Sequence, residues 1–148
     1  MTASPTPSRP RVVDIAFWTL IGGAVLLIFG GLLAVTVAFE TARSALSEEM
    51  TNDQVSQYLT VYRGVGAGSI VAGAGLAFVA SRARRGDERF RRVTVGLALA
   101  IAVVLVLLAA GARVGQPITL LALVPIAVGA VLLTRRSAAP WFDRNEVR

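Results

Sequence analysis

The sequence predicts an all-α, polytopic membrane protein: a bundle of four transmembrane helices with both termini on the cytoplasmic side. Of its 148 residues, 55% are hydrophobic and only 16% are charged, and the mean hydropathy is +0.66. The charges gather in a few clusters, separated by uncharged stretches of roughly the 20 residues that a helix needs to cross a bilayer. A soluble domain carries about 25% charged residues, so lipid is the expected solvent.

The first span is predicted over residues 13–39. It follows a Pro-rich segment, residues 1–11, that has little to bury and is expected to be a disordered cytoplasmic tail. No residue from Ile15 to Phe39 is charged, and this run exceeds the roughly 7–15 apolar residues of a cleavable signal peptide. An uncleaved helix is therefore expected. Asp14 lies at its start, where a carboxylate interacts favourably with the helix dipole.

A polar extracytoplasmic loop over residues 40–60 and a second span over residues 62–81 are predicted next. Thr51 and Gln54 have the spacing of a capping box, in which each side chain accepts a hydrogen bond from the other residue's backbone N–H. A helix is therefore expected to begin near Asn52 and to continue without interruption into the second span.

Small residues on the first two spans predict close helix packing. In membranes, small residues four positions apart let two helix backbones approach, and dispersion forces then drive association. Two interpretations stay open: packing of the second span against the first, which is favoured, and a dimerisation face. The residues predicted to make these contacts are Gly23, Gly30, Gly64, Gly68, Ser69 and Gly73.

An arginine-rich cytoplasmic loop over residues 82–92 joins the second and third spans, and Gly86-Asp87 marks its turn. Attraction to anionic lipid headgroups is worth about 1 kcal/mol per arginine near the surface. The favoured interpretation is a topology determinant, and the alternative is specific phospholipid or partner binding. The arginines concerned are Arg82, Arg84, Arg85, Arg89, Arg91 and Arg92.

The third and fourth spans are predicted over residues 93–112 and 116–134. Pro125 lies in the middle of the fourth span and is expected to kink it, because proline removes one backbone hydrogen bond. Residues 137–148 are predicted to be a cytoplasmic tail, in which Trp141 acts as an anchor at the membrane–water interface.

The orientation follows from the arginines, which are the only basic residues in the chain. With the N-terminus inside, twelve of the fifteen arginines lie in cytoplasmic segments, as the positive-inside rule requires. This rule accounts for the net charge of +6 better than a nucleic-acid partner does. Near the outer boundary, Glu40, Arg63 and Arg113 are predicted either to form a polar cluster or to extend separately into the interface.

The residue types limit the chemistry. The chain has no cysteine and no histidine, so a thiolate nucleophile, a disulfide and the usual general base near neutral pH are absent. A GxGxG string lies inside the apolar second span, where a nucleotide site is not expected. No catalytic, cofactor-binding or metal-binding residue is predicted. The hydroxyls in the spans are expected to bond back to their own helices: Thr19, Thr36, Ser69, Thr94 and Thr119.

Three sequence features together resemble the small four-helix integral membrane proteins of actinobacteria, over roughly the whole chain. The resemblance implies a plasma-membrane location and carries over no catalytic or ligand-binding residue. The features are Arg11 before Ala16-Phe17-Trp18, Tyr62-Arg63 before a glycine-rich span, and the loop Arg84-Arg85-Gly86-Asp87-Glu88-Arg89-Phe90.

The leading functional hypothesis is a non-catalytic scaffold or accessory subunit that works as a homo-oligomer or within a larger membrane complex. Its other predicted partners are the bilayer and anionic phospholipid headgroups. One alternative is a small transporter or channel component acting as an oligomer, although the spans carry only scattered hydroxyls. A second alternative, an enzyme acting on lipid, lacks an evident acid, base or nucleophile within the spans.

Overall fold

The computed structural model describes residues 10–111 and 117–143, which form helices and turns without a strand. Four helical stretches are long and apolar enough to cross a membrane: α1, α3, α4 and the combined α5–α6 segment. The all-α class and the four apolar helices are confirmed. The helices in the described ranges are α1 (Arg11–Thr36), α2 (Phe39–Ala45), α3 (Asn52–Ala83), α4 (Glu88–Gly111), α5 (Pro117–Leu121), α6 (Leu123–Thr134) and α7 (Ala139–Asp143).

The long helices form a ring. Helix α1 packs most extensively against α3 and also against α6, while α4 touches both α3 and α6 from the far side. Helix α4 is the least enclosed of the four, because it presents Leu99, Val103 and Leu107 outward. The core between the helices is built from aliphatic side chains that are almost completely buried, among them Val13, Leu20, Leu27, Leu76 and Ile126.

Helix α3 begins as the sequence predicts. The Thr51 N–H donates to Gln54 Oε1 at 2.9 Å, and the Gln54 N–H donates to Thr51 Oγ1 at 3.3 Å, so both halves of the capping box are present. The helix then runs for 32 residues without interruption. Its first turns bury Val55 and Leu59 against Ala42 of α2, a short helix inside the segment predicted to be a loop.

The first long helix ends at Thr36 rather than at the predicted Phe39. Val37 and Ala38 adopt extended backbone angles before α2 begins. The last carbonyl groups of a helix lack partners within the helix. Just past this end, Arg63 Nη2 donates to the carbonyl oxygen of Val37 at 2.6 Å and ties α3 to the end of α1.

The fourth apolar stretch is interrupted at Ala122, between α5 and α6. Pro125 lies three residues further on. Because proline has no N–H and its ring crowds the carbonyl of residue 121, the helix is disturbed one turn before the proline. Ala122 keeps right-handed helical backbone angles, and the Ile126 N–H still donates to the Ala122 carbonyl oxygen at 3.2 Å. The kink expected at Pro125 stays a prediction.

The turn between α3 and α4 comprises only residues 84–87, because both helices extend into the segment predicted as a loop over residues 82–92. Gly86 takes a φ of 93°, in the left-handed region that favours glycine. Asp87 Oδ1 accepts hydrogen bonds from the backbone N–H groups of Arg89 and Phe90, at 3.0 and 3.4 Å, and so caps α4. We call the end of the bundle where α1 begins, α3 turns into α4 and α6 ends the arginine-rich end.

Candidate functional site

At the arginine-rich end, Arg84 joins α3 to α1. Its Nε and Nη2 atoms lie 3.0 and 2.9 Å from Asp14 Oδ1, and its guanidinium lies 4.5 Å from the ring centroid of Phe17 and 5.8 Å from that of Trp18. The sequence predicts that Asp14 lies at the start of α1, but it does not predict this pairing. Arg84 therefore holds two spans together as well as carrying positive charge.

Arg91 makes a second link between helices. Its Nε donates to the carbonyl oxygen of Leu133 at 2.9 Å, near the end of α6, and its Nη1 lies 3.1 Å from Glu88 Oε2. The guanidinium also lies 5.1 Å from the ring centroid of Phe142 in α7. A single side chain thus joins α4, α6 and α7, which its position in an arginine-rich loop does not predict.

The other four arginines of this group are more exposed. Arg82 lies 5.5 Å from the Phe78 ring centroid and 6.0 Å from that of Phe90. Arg92 donates through Nε to Glu88 Oε1 at 3.1 Å, yet its side chain is 76% exposed. The six arginines therefore divide into two that connect helices and four that lie at the surface, where Arg85 and Arg89 join Arg82 and Arg92.

At the opposite end, the structure does not bring the predicted polar cluster together within its described part. Arg63 bonds to the backbone of Val37, and no ion pair between Arg63 and Glu40 occurs among the described residues. Arg113 lies outside them. Another arginine, Arg43, donates to the carbonyl oxygen of Met50 at 2.6 Å and fixes the segment between α2 and α3.

The small residues of α3 face two different directions. Gly73 and Ser69 are buried; Gly73 lies against Ala24 and Leu27 of α1, and Ser69 donates back to the carbonyl of Val65. Gly64 and Gly68 are exposed, and a Cβ atom added at either one would meet nothing within 4 Å. They do not pack against α1.

The remaining predicted packing glycines lie on α1. Gly23 faces α6, where an added Cβ would come within 2.5 Å of Ile126 Cγ1, and Gly30 is buried. Sequence reasoning missed the tightest crossing of α1 and α3, where the Gly66 and Gly31 backbones meet. It also missed Gly129 of α6, which lies against Leu20 of α1. Spacing alone pointed to small residues but not to the correct face.

The hydroxyl groups in the apolar helices bond to their own helices, as predicted, at four positions. Each donates to a carbonyl oxygen four residues earlier, at distances of 2.6 to 2.9 Å. These bonds satisfy the hydroxyls locally, so they contribute no free donor to a polar path through the bundle. The four residues are Thr19, Thr36, Ser69 and Thr94.

Two apolar grooves flank α4. The α3–α4 groove, of about 270 Å³, is lined by Gly68, Ser69 and Ala72 of α3, by α4 residues from Ala100 to Leu108, and by Leu27 of α1. The α4–α6 groove, of about 250 Å³, lies nearer the arginine-rich end, between α4 residues 95–102 and α6 residues 127–134.

No protein family model matches the chain, and neither a characterised protein nor a solved structure is detectably similar to it. The resemblance to actinobacterial four-helix proteins stays a prediction. The geometry described above leaves three kinds of surface as candidates for function: the arginine-rich end, the exposed small-residue face of α3 and the two grooves beside α4.

Proposed function

We propose that the chain is a multi-pass protein of the plasma membrane that serves, without catalysis, as a scaffold or accessory subunit of a membrane complex. The four long apolar helices support a bilayer location. The exposed glycines of α3 beside an open apolar groove support lateral association with another membrane helix.

The proposed orientation has both termini in the cytoplasm. Its support is that the start of α1, the turn between α3 and α4 and the end of α6 lie at one end of the bundle, joined by the Asp14–Arg84 pair and the Arg91–Leu133 hydrogen bond. Of the eleven arginines in the described part of the chain, nine lie at this end. The positive-inside rule then assigns this end to the cytoplasm.

The observation that carries the proposal is the open space around Gly64 and Gly68. Within a bilayer, no hydrophobic driving force brings two helices together, because lipid tails are as apolar as the helix surfaces. Association of the helices therefore depends on close backbone contact at small residues. Gly66 and Gly73 already use this mechanism within the chain, against α1. Gly64 and Gly68 are four positions apart, as Ser69 and Gly73 are, but they lie on the outward face of the same helix, where another helix has access.

A Gly68→Leu substitution is expected to leave the monomer folded, because a Cβ atom added at Gly68 meets nothing within 4 Å. It is expected to abolish lateral association, because the leucine side chain occupies the surface that a partner helix would approach. Gly22→Leu is the matched control, since Gly22 of α1 is also exposed and has nothing within 4 Å of an added Cβ. Purification in mild detergent, with light scattering for mass and mass spectrometry for partners, measures the result.

The purification distinguishes the scaffold hypothesis from the transporter or channel hypothesis. Loss of the associated species in Gly68→Leu but not in Gly22→Leu supports the scaffold proposal. A monomer without any partner in the wild type, purified from its native membrane, would contradict it. A pure homo-oligomer that carries solute across liposome membranes would instead favour the transporter or channel component.

A further inference from the structure

We propose that the α4–α6 groove, together with the arginines at its end, binds one anionic phospholipid: an acyl chain in the groove and the phosphate against the arginines. The proposal rests on the bilayer location proposed above. It adds a specific lipid site, which neither the scaffold role nor a general attraction to anionic lipid requires.

The groove has the form and the composition of an acyl-chain site. Its floor contains alanines, of which Ala98 is buried and Ala130 is half-buried, while Leu99 and Val131 stand exposed at its rims. The groove is therefore apolar and open to the side from which a lipid would enter. At about 250 Å³, the groove has room for several methylene groups of one acyl chain.

The length and position of the groove fit one leaflet. The stretch of α6 from Ala127 to Thr134 rises about 10 Å, roughly a third of the hydrocarbon thickness of a bilayer. Thr134 is the last residue of α6, so the groove reaches the arginine-rich end. An acyl chain lying in it would bring its headgroup to the charged residues there.

Charge complementarity selects an anionic headgroup. On α4, the residues that line the groove continue at helical spacing from Val95 to Arg92 and Arg91, and on α6 Thr134 is followed directly by Arg135 and Arg136. Glu88 is the partner of both Arg91 and Arg92, so four arginines and this one carboxylate leave three positive charges. Basic pockets between membrane helices on the cytoplasmic side are typical sites for anionic lipid headgroups.

The arginines have different parts in the site. Arg91 is fixed by Leu133 and Glu88, and it sets the distance between α4 and α6. Arg92 is largely exposed and bonds to Glu88 through Nε. We therefore expect its two Nη groups to donate to the phosphate. Arg135 is exposed and directly follows Thr134, the last residue of α6 that lines the groove. Arg92 and Arg135 are therefore the expected phosphate ligands.

The test is the number of lipids that the protein retains. Protein reconstituted in vesicles of phosphatidylglycerol and phosphatidylcholine is extracted in mild detergent, and native mass spectrometry counts the lipids that stay bound. The wild type is expected to keep one phosphatidylglycerol. Each of Arg92→Gln and Arg135→Gln is expected to weaken retention about fivefold, and Ala127→Phe, which fills the groove, at least about tenfold.

Two matched variants are expected to bind as the wild type does. Val128→Phe adds the same ring at an exposed position on α6 that does not line the groove, and Arg85→Gln removes a charge from the same end of the bundle. Equal retention of the two lipids by the wild type would overturn the proposal, as would equal weakening by Arg85→Gln and Arg92→Gln. If Ala127→Phe fails to fold, as judged by circular dichroism, the arginine variants still decide the result.

Flotation with the vesicles separates a failure of this site from a failure of the proposed function. Protein that does not float with vesicles contradicts both the bilayer location and the lipid site. Protein that floats but shows no preference for phosphatidylglycerol contradicts the lipid site alone and leaves the scaffold role unaffected.

Discussion

Replacing Phe142 by alanine is expected to lower the free energy of unfolding by about 3–5 kcal/mol. Phe142 is 0% exposed and is one of the largest fully buried side chains among the described residues. It packs into the main core cluster from α7, beyond the last apolar helix, and the guanidinium of Arg91 lies 5.1 Å from its ring centroid. The substitution removes both the buried ring and this cation–π contact.

Titration with a denaturing detergent, followed by circular dichroism, measures this effect, and Phe29→Ala is the control. Phe29 is an aromatic residue of α1 that is 53% exposed, so its loss is expected to cost less than about 1 kcal/mol. If the two variants unfold at the same detergent fraction, α7 does not contribute to the core.

Gly73→Leu is expected to cost about 3 kcal/mol, near the upper end of the usual range for overpacking. A Cβ atom at Gly73 would lie 2.8 Å from the carbonyl oxygen of Ala24 and 2.8 Å from Ile28 Cγ1, both on α1. The first of these atoms is backbone and cannot rotate away, so α3 has to move from α1 along their most extensive contact.

The same titration distinguishes this effect from a general effect of leucine in a helix. Gly22→Leu makes the identical change on α1, at a position where an added Cβ meets nothing within 4 Å, and it is expected to be neutral or slightly stabilising. A Gly73→Leu protein as stable as Gly22→Leu would show that the α1–α3 contact is not close-packed at this point.

The parts of the fold that depend on short stretches of sequence could be predicted. Four apolar helices follow from the length of the uncharged runs. The start of α3 follows from Thr51 and Gln54, which interact across a single turn. Each of these features is decided by residues a few positions apart.

The faces of the helices could not be predicted in the same way. In a soluble protein the buried face of a helix is the apolar one, but a helix in lipid is apolar on both its buried and its exposed faces, so periodicity does not separate them. Small residues occur on both faces of α3. The spacing of Gly64 and Gly68 is as good a packing signal as that of Ser69 and Gly73, yet only the second pair is buried, with Gly73 against α1.

The contacts at the arginine-rich end could not be predicted because they join residues far apart in the chain. Asp14 and Arg84 are separated by 70 positions, and Arg91 and Leu133 by 42. An arginine that bonds to a distant carboxylate or carbonyl looks the same in sequence as one that only determines topology. The one available signal was the adjacent Trp141 and Phe142 after the last span, which suit a buried helix as well as an interfacial anchor.

The most direct test of a four-span bundle with both ends in the cytoplasm is labelling of single cysteines in whole cells. The natural chain has no cysteine, so Ser47→Cys and Ser137→Cys each introduce one thiol, at exposed positions at opposite ends of the bundle. With a membrane-impermeant maleimide, Ser47→Cys is expected to react in intact cells and Ser137→Cys only after permeabilisation. Equal labelling of both in intact cells, or the reverse pattern, would contradict this arrangement.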